Sequence, residues 1–190
     1  MNWNEHSGLE GSHAFLSGSN YHWINYDEEK LYSAYANYRA AEQGTILHEF
    51  AKECILLNQR LEDIPKTLNM YVNDAIGYHM MPEQVLYFSP YCFGTADTIS
   101  FKNNLLRIHD LKTGKGPTHF EQLEIYTSIF CLEYDVDIND IDVELRIYQS
   151  NKIRVHNPDR TEIVPRMDKI VTNSKLLEEW ENGNGRFNYI

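Results

Sequence analysis

Apolar and polar positions change period several times along this chain, and each change marks an element. From Gly44 the run GTILHEFAKECILLNQRL places Leu47, Phe50, Ala51, Cys54 and Leu57 at intervals of three and four, which predicts an amphipathic helix. The following DIPKTLNMYVNDAIGYHMMPEQ carries a weaker pattern, with Met70, Val72 and Ile76 suggesting a second helix that ends near Gly77. The period then falls to two. Gln84 to Ser89 reads as a strand, Pro90 as a turn, and Tyr91 to Phe101 as a second strand. Lys102, Asn103 and Asn104 form a tight turn, because Asn tolerates the positive φ that hairpins need, and LLRIHDLK returns as a third strand. Gly114, Gly116 and Pro117 mark a loop before HFEQLEIYTSIFCLEY, a helix with Phe120, Leu123, Phe130 and Leu132 as its apolar positions. IDVELRIYQS alternates as a fourth strand, IRVHN turns back on it after Asn151 and Lys152, and NSKLLEEWEN is a last helix with an Asn or Ser cap.

The start of the chain is less patterned. Residues 1–13 are polar and rich in Gly and Ser, which suggests a loosely docked lead. Ser17, Gly18 and Ser19 offer a helix cap before NYHWINY, with Trp23 and Ile24 facing inward, and DEEKLYSAYANYRAAE suits either helix or loop. Tyr21, Tyr26 and Tyr32 have two readings, packing against the body of the protein or stacking on nucleic-acid bases.

The first hairpin carries the chemistry. With Asn103 and Asn104 as a two-residue turn, Lys102 pairs with Leu105 and every cross-strand pair sums to 207, so Asp97 faces Asp110. Opposed side chains of an antiparallel pair share one face at about 5 Å, so these carboxylates can share a hard divalent cation. A slip of one residue destroys this arrangement. Lys112 falls on the face of Asp110, whereas Leu111 points to the core and offers its backbone carbonyl. Gln122 and Tyr126, one helical turn apart on the next helix, can reach a common object. His48 lies at the edge of an apolar stripe, where a boundary residue and a ligand are both open readings.

The length of 190 residues suits one domain, with 44–150 as the core that holds the paired acids and 151–190 as a C-terminal hairpin and helix. The net charge of −11 argues against coating nucleic acid through a broad basic surface, yet leaves room for an enzyme whose contact with DNA is narrow and metal-dependent. Cys54, Cys92 and Cys131 form no C-x-x-C pair, so neither a disulfide framework nor a zinc ribbon is expected. No run approaches the roughly 18 apolar residues of a membrane span, so a cytoplasmic location and no membrane partner are expected.

The order of these elements resembles the RecB-type exonuclease branch of the PD-(D/E)XK nuclease superfamily, in particular its small phage and prophage nucleases. The residues that carry the resemblance are G-x-x-x-H at Gly44 and His48, G-x-x-D at Gly94 and Asp97, D-x-K at Asp110 and Lys112, and Q-x-x-x-Y at Gln122 and Tyr126. It covers roughly residues 14–150, including the lead FLSGSNYHWI.

The resemblance implies an α/β fold with a restriction-endonuclease-like core, a mixed central sheet of at least four strands flanked by helices. It implies a metal-dependent DNA exonuclease acting in phage recombination or DNA processing within a bacterial host cell. Asp97 and Asp110 would bind Mg²⁺ or Mn²⁺ with His48 and the Leu111 carbonyl, Lys112 would serve the attacking water, and Gln122 and Tyr126 would hold the site or the scissile phosphate. Glu49 and Glu53 both stand as accessory acids. Iron–sulfur members of the branch place one Cys before the His helix and three near the C-terminus. Here no Cys precedes Cys54 or follows Cys131, so no cluster is expected. The partners implied are DNA, a recombinase or single-strand annealing protein, and further copies of the chain. Two alternatives stand beside this reading: a catalytically silent nuclease-fold module acting through a protein partner, and a restriction-like endonuclease.

Overall fold

A computed structural model describes residues 5–9 and 11–184. The chain divides into two compact units, Met1–Thr45 and Ile46–Ile190. In the first, Phe15 packs edge-on against Tyr35 and beside Tyr38, with ring centroids 5.1 and 5.5 Å apart. The expected helix around Trp23 is a short 3₁₀ turn, Tyr21–Asn25, whose N-cap Asn20 makes no side-chain cap bond. Trp23 Nε1 donates to the Ser17 carbonyl, while Ile24 stays exposed, contrary to its expected inward position. A single helix, α1, spans Glu28–Leu56, so Gly44 lies inside a helix where a start was expected. Glu28 and Glu29 in its first turn complement the positive end of the helix dipole.

The second unit holds the sheet. After α1 come α2 (Thr67–Gly77), strands β1 (Met81–Ser89), β2 (Cys92–Lys102) and β3 (Leu105–Leu111), helix α3 (Glu121–Glu133), strands β4 (Asp142–Gln149) and β5 (Lys152–His156), and α4 (Arg160–Asn184). The five strands lie in sequence order, antiparallel except for β3 and β4, which run parallel. A parallel neighbour needs a crossover, and α3 supplies it. The α/β expectation of a mixed sheet of at least four strands therefore holds.

The β2–β3 register is set by its turn. Asn103 and Asn104 have φ of 51° and 58°, the left-handed pair that a type I′ turn requires. The ladder pairs Lys102 with Leu105 through to Thr98 with His109, so the register expected from the two Asn residues is the observed one.

Two cores flank the sheet. Leu86, Leu106, Ile108, Leu123 and Leu145 belong to one, with Ile163 of α4. Ala51, Cys54, Val72 and Ala75 meet Leu111 and Tyr148 in the other. The stripe that α1 buries is Ala51, Cys54 and Ile55; Leu47, Phe50 and Leu57, expected to pack with it, are exposed. A cap was expected at Asn173 or Ser174, but α4 begins far earlier. Asp159 caps it by accepting from Thr161 N and Oγ1, and Pro165 is accommodated inside the helix. Among the described residues no helix is long and apolar enough to cross a membrane.

Candidate metal centre

The site forms where the last turns of α1 meet the start of β1, the middle of β2 and the end of β3. Asp97 is the hub. Its Oδ2 accepts a hydrogen bond of 2.8 Å from the Leu111 N–H and lies 3.6 Å from His48 Nδ1. Leu111 is buried in the core, so its backbone has one orientation and the Asp97 carboxylate is fixed by it. Asp110, only 3 % exposed, has Oδ1 2.9 Å from Lys112 Nζ. Its Oδ2 is buried without a hydrogen-bond partner. Lys112 Nζ also donates to Gln122 Oε1 at 3.1 Å, and Gln122 Nε2 to Tyr126 Oη at 3.2 Å. A chain of contacts thus runs from β3 to the face of α3.

A carboxylate that sequence reasoning missed enters from β1. Glu83, His48 and Asp97 bring one ligand atom each to within 4.8 Å of one another. A simple turn at Pro90 and Tyr91 continues the Ser89–Cys92 pairing and puts Gln84 opposite Asp97. A register shift between Tyr87 and Ser89 removes one step, so Gln84 pairs with Ala96, Pro82 with Thr98, and Glu83 falls opposite Asp97. Glu83 has φ of 52°, a left-handed conformation that costs a non-glycine strand residue on the order of 1 kcal/mol or more. Such strain is characteristic of positions that serve a site.

The electrostatics of the cluster are dominated by its carboxylates. Burial first, then the neighbouring Asp110, push Asp97 up to about 6, against the opposing Leu111 hydrogen bond and His48. Asp110 is also raised by burial, with Lys112 pulling the other way. The same carboxylates add to the rise that burial imposes on Tyr71, which is 2 % exposed on α2. Repulsion between buried carboxylates, an orphaned Asp110 oxygen and a His–Glu–Asp donor set fit a hard divalent ion.

The sequence-predicted residues fall in two groups. His48 and Asp97 converge with Glu83, while Asp110, Lys112, Gln122 and Tyr126 form the adjoining line toward α3. Leu111 enters through its N–H. The accessory-acid candidates differ: Glu49 pairs with Lys52 at 3.2 Å on the helix surface, and neither it nor Glu53 joins the cluster. A second His–carboxylate group, Glu124, His156 and Glu162, lies at α3, β5 and α4. Arg166 already contacts Glu124 there, so that group is a closed ion network. No protein-family model, no curated protein and no solved structure matches this chain.

Proposed function

We propose that this protein is a Mg²⁺- or Mn²⁺-dependent deoxyribonuclease of the restriction-endonuclease-like kind, working as an exonuclease. The observation that carries the reading is the convergence of Asp97, Glu83 and His48 beside a buried Asp110 whose lysine partner is two residues away. The element order supports it as well: a His-bearing helix, three antiparallel strands, a Gln/Tyr helix and a strand parallel to the third.

Asp97, Asp110, Glu83 and His48 would hold the ion, with the Leu111 carbonyl as the fifth donor the resemblance implies. A divalent ion supplies Lewis acidity toward a phosphodiester. The chain's own part is positional. Leu111 N–H fixes the Asp97 carboxylate, and Lys112 Nζ, held between Asp110 Oδ1 and Gln122 Oε1, orients the attacking water and offsets charge on the phosphoryl oxygens. Gln122 and Tyr126 present an amide and a phenol to the scissile phosphate from one helix face.

The test is degradation of DNA by the purified chain with Mg²⁺ or Mn²⁺. Linear DNA should be consumed from its ends, a chelator should stop it, and covalently closed circles should survive. Nicking of closed circles would point to an endonuclease. Failure to degrade linear duplex and single strands alike, without metal binding at Asp97 and Asp110, overturns the proposal.

A further inference from the structure

Beside Lys112 the chain makes a loop over residues 113–119, which the site described above does not use. In a protein of net charge −11, residues 111–120 contain no carboxylate, and they carry Lys112, Lys115 and His119. Two side chains of the β4–β5 hairpin tie the loop down by its carbonyl oxygens. Gln149 Nε2 donates to the Gly114 and Gly116 carbonyls at 2.7 and 2.9 Å, and Arg154 Nη1 donates to the Thr118 carbonyl at 2.6 Å. Arg154 in turn lies over the Phe120 ring, 5.0 Å from its centroid.

The amides are treated differently. Among the described residues no N–H of Thr113, Gly114, Lys115, Gly116, Thr118 or His119 donates to a protein group. A loop with anchored carbonyls and free donors presents positive potential to whatever approaches it. What it borders is a cleft of 370 Å³ lined by Lys112, Gly114, Gly116, Thr118, His119 and Gln122. Lys112 and Gln122 are the two residues that join this cleft to Asp110.

We infer that the loop of residues 113–119 seats a backbone phosphate of the substrate strand next to the scissile one. Its N–H groups and His119 form the seat, Lys115 of the same loop adds positive charge from the neighbouring cleft that it lines with Lys112, and Gln149 is the positioning residue that holds the seat open. The inference rests on the nuclease reading and specifies how the strand is held there. It also accounts for how an acidic protein engages a polyanion: the contact is confined to one carboxylate-free segment.

The experiment measures binding of labelled single-stranded oligonucleotides by fluorescence anisotropy, with Ca²⁺ in place of Mg²⁺, and uses a set in which each linkage in turn is an uncharged methylphosphonate. K115Q/H119Q should weaken binding about tenfold, and each phosphate that the variant leaves unneutralised should flatten the salt slope by about 0.7. One methylphosphonate should weaken wild-type binding by a similar factor and leave the Kd of K115Q/H119Q unchanged. Q149L should lose that discrimination while keeping the wild-type salt slope, since it removes no charge.

Equal methylphosphonate penalties in wild type and K115Q/H119Q, or a wild-type Kd in that variant, overturn the inference. Hydrolysis with Mg²⁺ is read separately. Binding of this pattern without cleavage removes the nuclease reading and leaves the phosphate seat. Cleavage with an unaltered variant Kd does the reverse, and neither binding nor cleavage removes both.

Discussion

Gly94 and Tyr126 are packed directly against each other: a Cβ added to Gly94 would lie 2.9 Å from Tyr126 Cε1. Only a residue without a side chain lets α3 sit this close to β2, and this closeness brings Gln122 within reach of Lys112. The glycine three residues before Asp97 and the tyrosine four residues after Gln122 are thus two halves of one contact.

Gly94→Ala should therefore push α3 outward and destabilise the protein by about 1–3 kcal/mol. Thermal unfolding gives the cost. The same change in a Tyr126→Ala background should cost much less, because the ring that clashes is gone, and the non-additivity identifies the contact.

Lys112→Ala should lower DNA hydrolysis on the order of 100-fold, the usual worth of one donor aimed at charge that develops in the transition state. Manganese binding, followed by titration calorimetry, should not weaken, because the variant removes a cation from beside Asp110. Lys112→Arg should not restore the rate, since a planar guanidinium cannot take the place of a point charge between Asp110 and Gln122. Biological activity that survives Lys112→Ala would favour a silent nuclease-fold module.

Glu83→Gln tests the carboxylate that only the folded chain reveals. Its loss should weaken Mn²⁺ binding at least tenfold, the effect of removing one anionic donor from a three-group cluster. Titration of Mn²⁺ into wild type and variant makes the comparison. Glu49→Gln, on the exposed side of α1, should bind as wild type.

Acidity should act on the metal-free fold through Asp97. Its folded pKa lies near 6, above the ordinary 3.8, so between these values the native state binds more protons than the unfolded chain. Stability from this group therefore falls as pH rises from about 4 to 6. Asp97→Asn should flatten that part of the profile of Tm against pH. Saturating Mn²⁺ should reverse its sign, because the bound form needs the carboxylate ionised.

A purely structural prediction concerns the buried network behind the sheet. Asp74 Oδ2 accepts from Tyr148 Oη at 2.6 Å and Arg146 Nη1 at 2.9 Å, and Tyr148 Oη lies 3.3 Å from His109 Nδ1. Asp74→Ala removes the closest partner of the Tyr148 phenol and one of three partners of Arg146, which keeps Glu144 and Tyr78, so it should cost about 1–2 kcal/mol in denaturant unfolding. Catalysis should fall only as far as the folded fraction does.

How much of the fold and the site is legible in the sequence depends on which interactions are local. The Asn103–Asn104 turn fixes its own register within a few residues, so the level of Asp97 and Asp110 can be counted from the sequence. The β1–β2 connection has a register shift after Tyr87, and nothing in the local sequence signals it. Glu83 is therefore hidden behind an apparent Gln84. Helix lengths fail for a related reason. The Asp159 cap of α4 is masked by Pro165 a turn and a half later, a residue that usually ends a helix and here sits inside one. The aromatic run from Glu28 has no helical stripe to declare it, because Tyr32 and Tyr35 remain exposed. The order of His48, Asp97, Asp110, Lys112, Gln122 and Tyr126 is readable; the side of the site on which each one stands needs the fold.

The most direct test of the metal centre is a crystal of the protein soaked in Mn²⁺ and measured for anomalous scattering. One strong peak is expected, bounded by Asp97, Asp110 and Glu83 with His48 at its edge, and it should vanish in Asp97→Asn. Manganese absent from those carboxylates, or bound instead among Glu124, His156 and Glu162, would contradict the assignment.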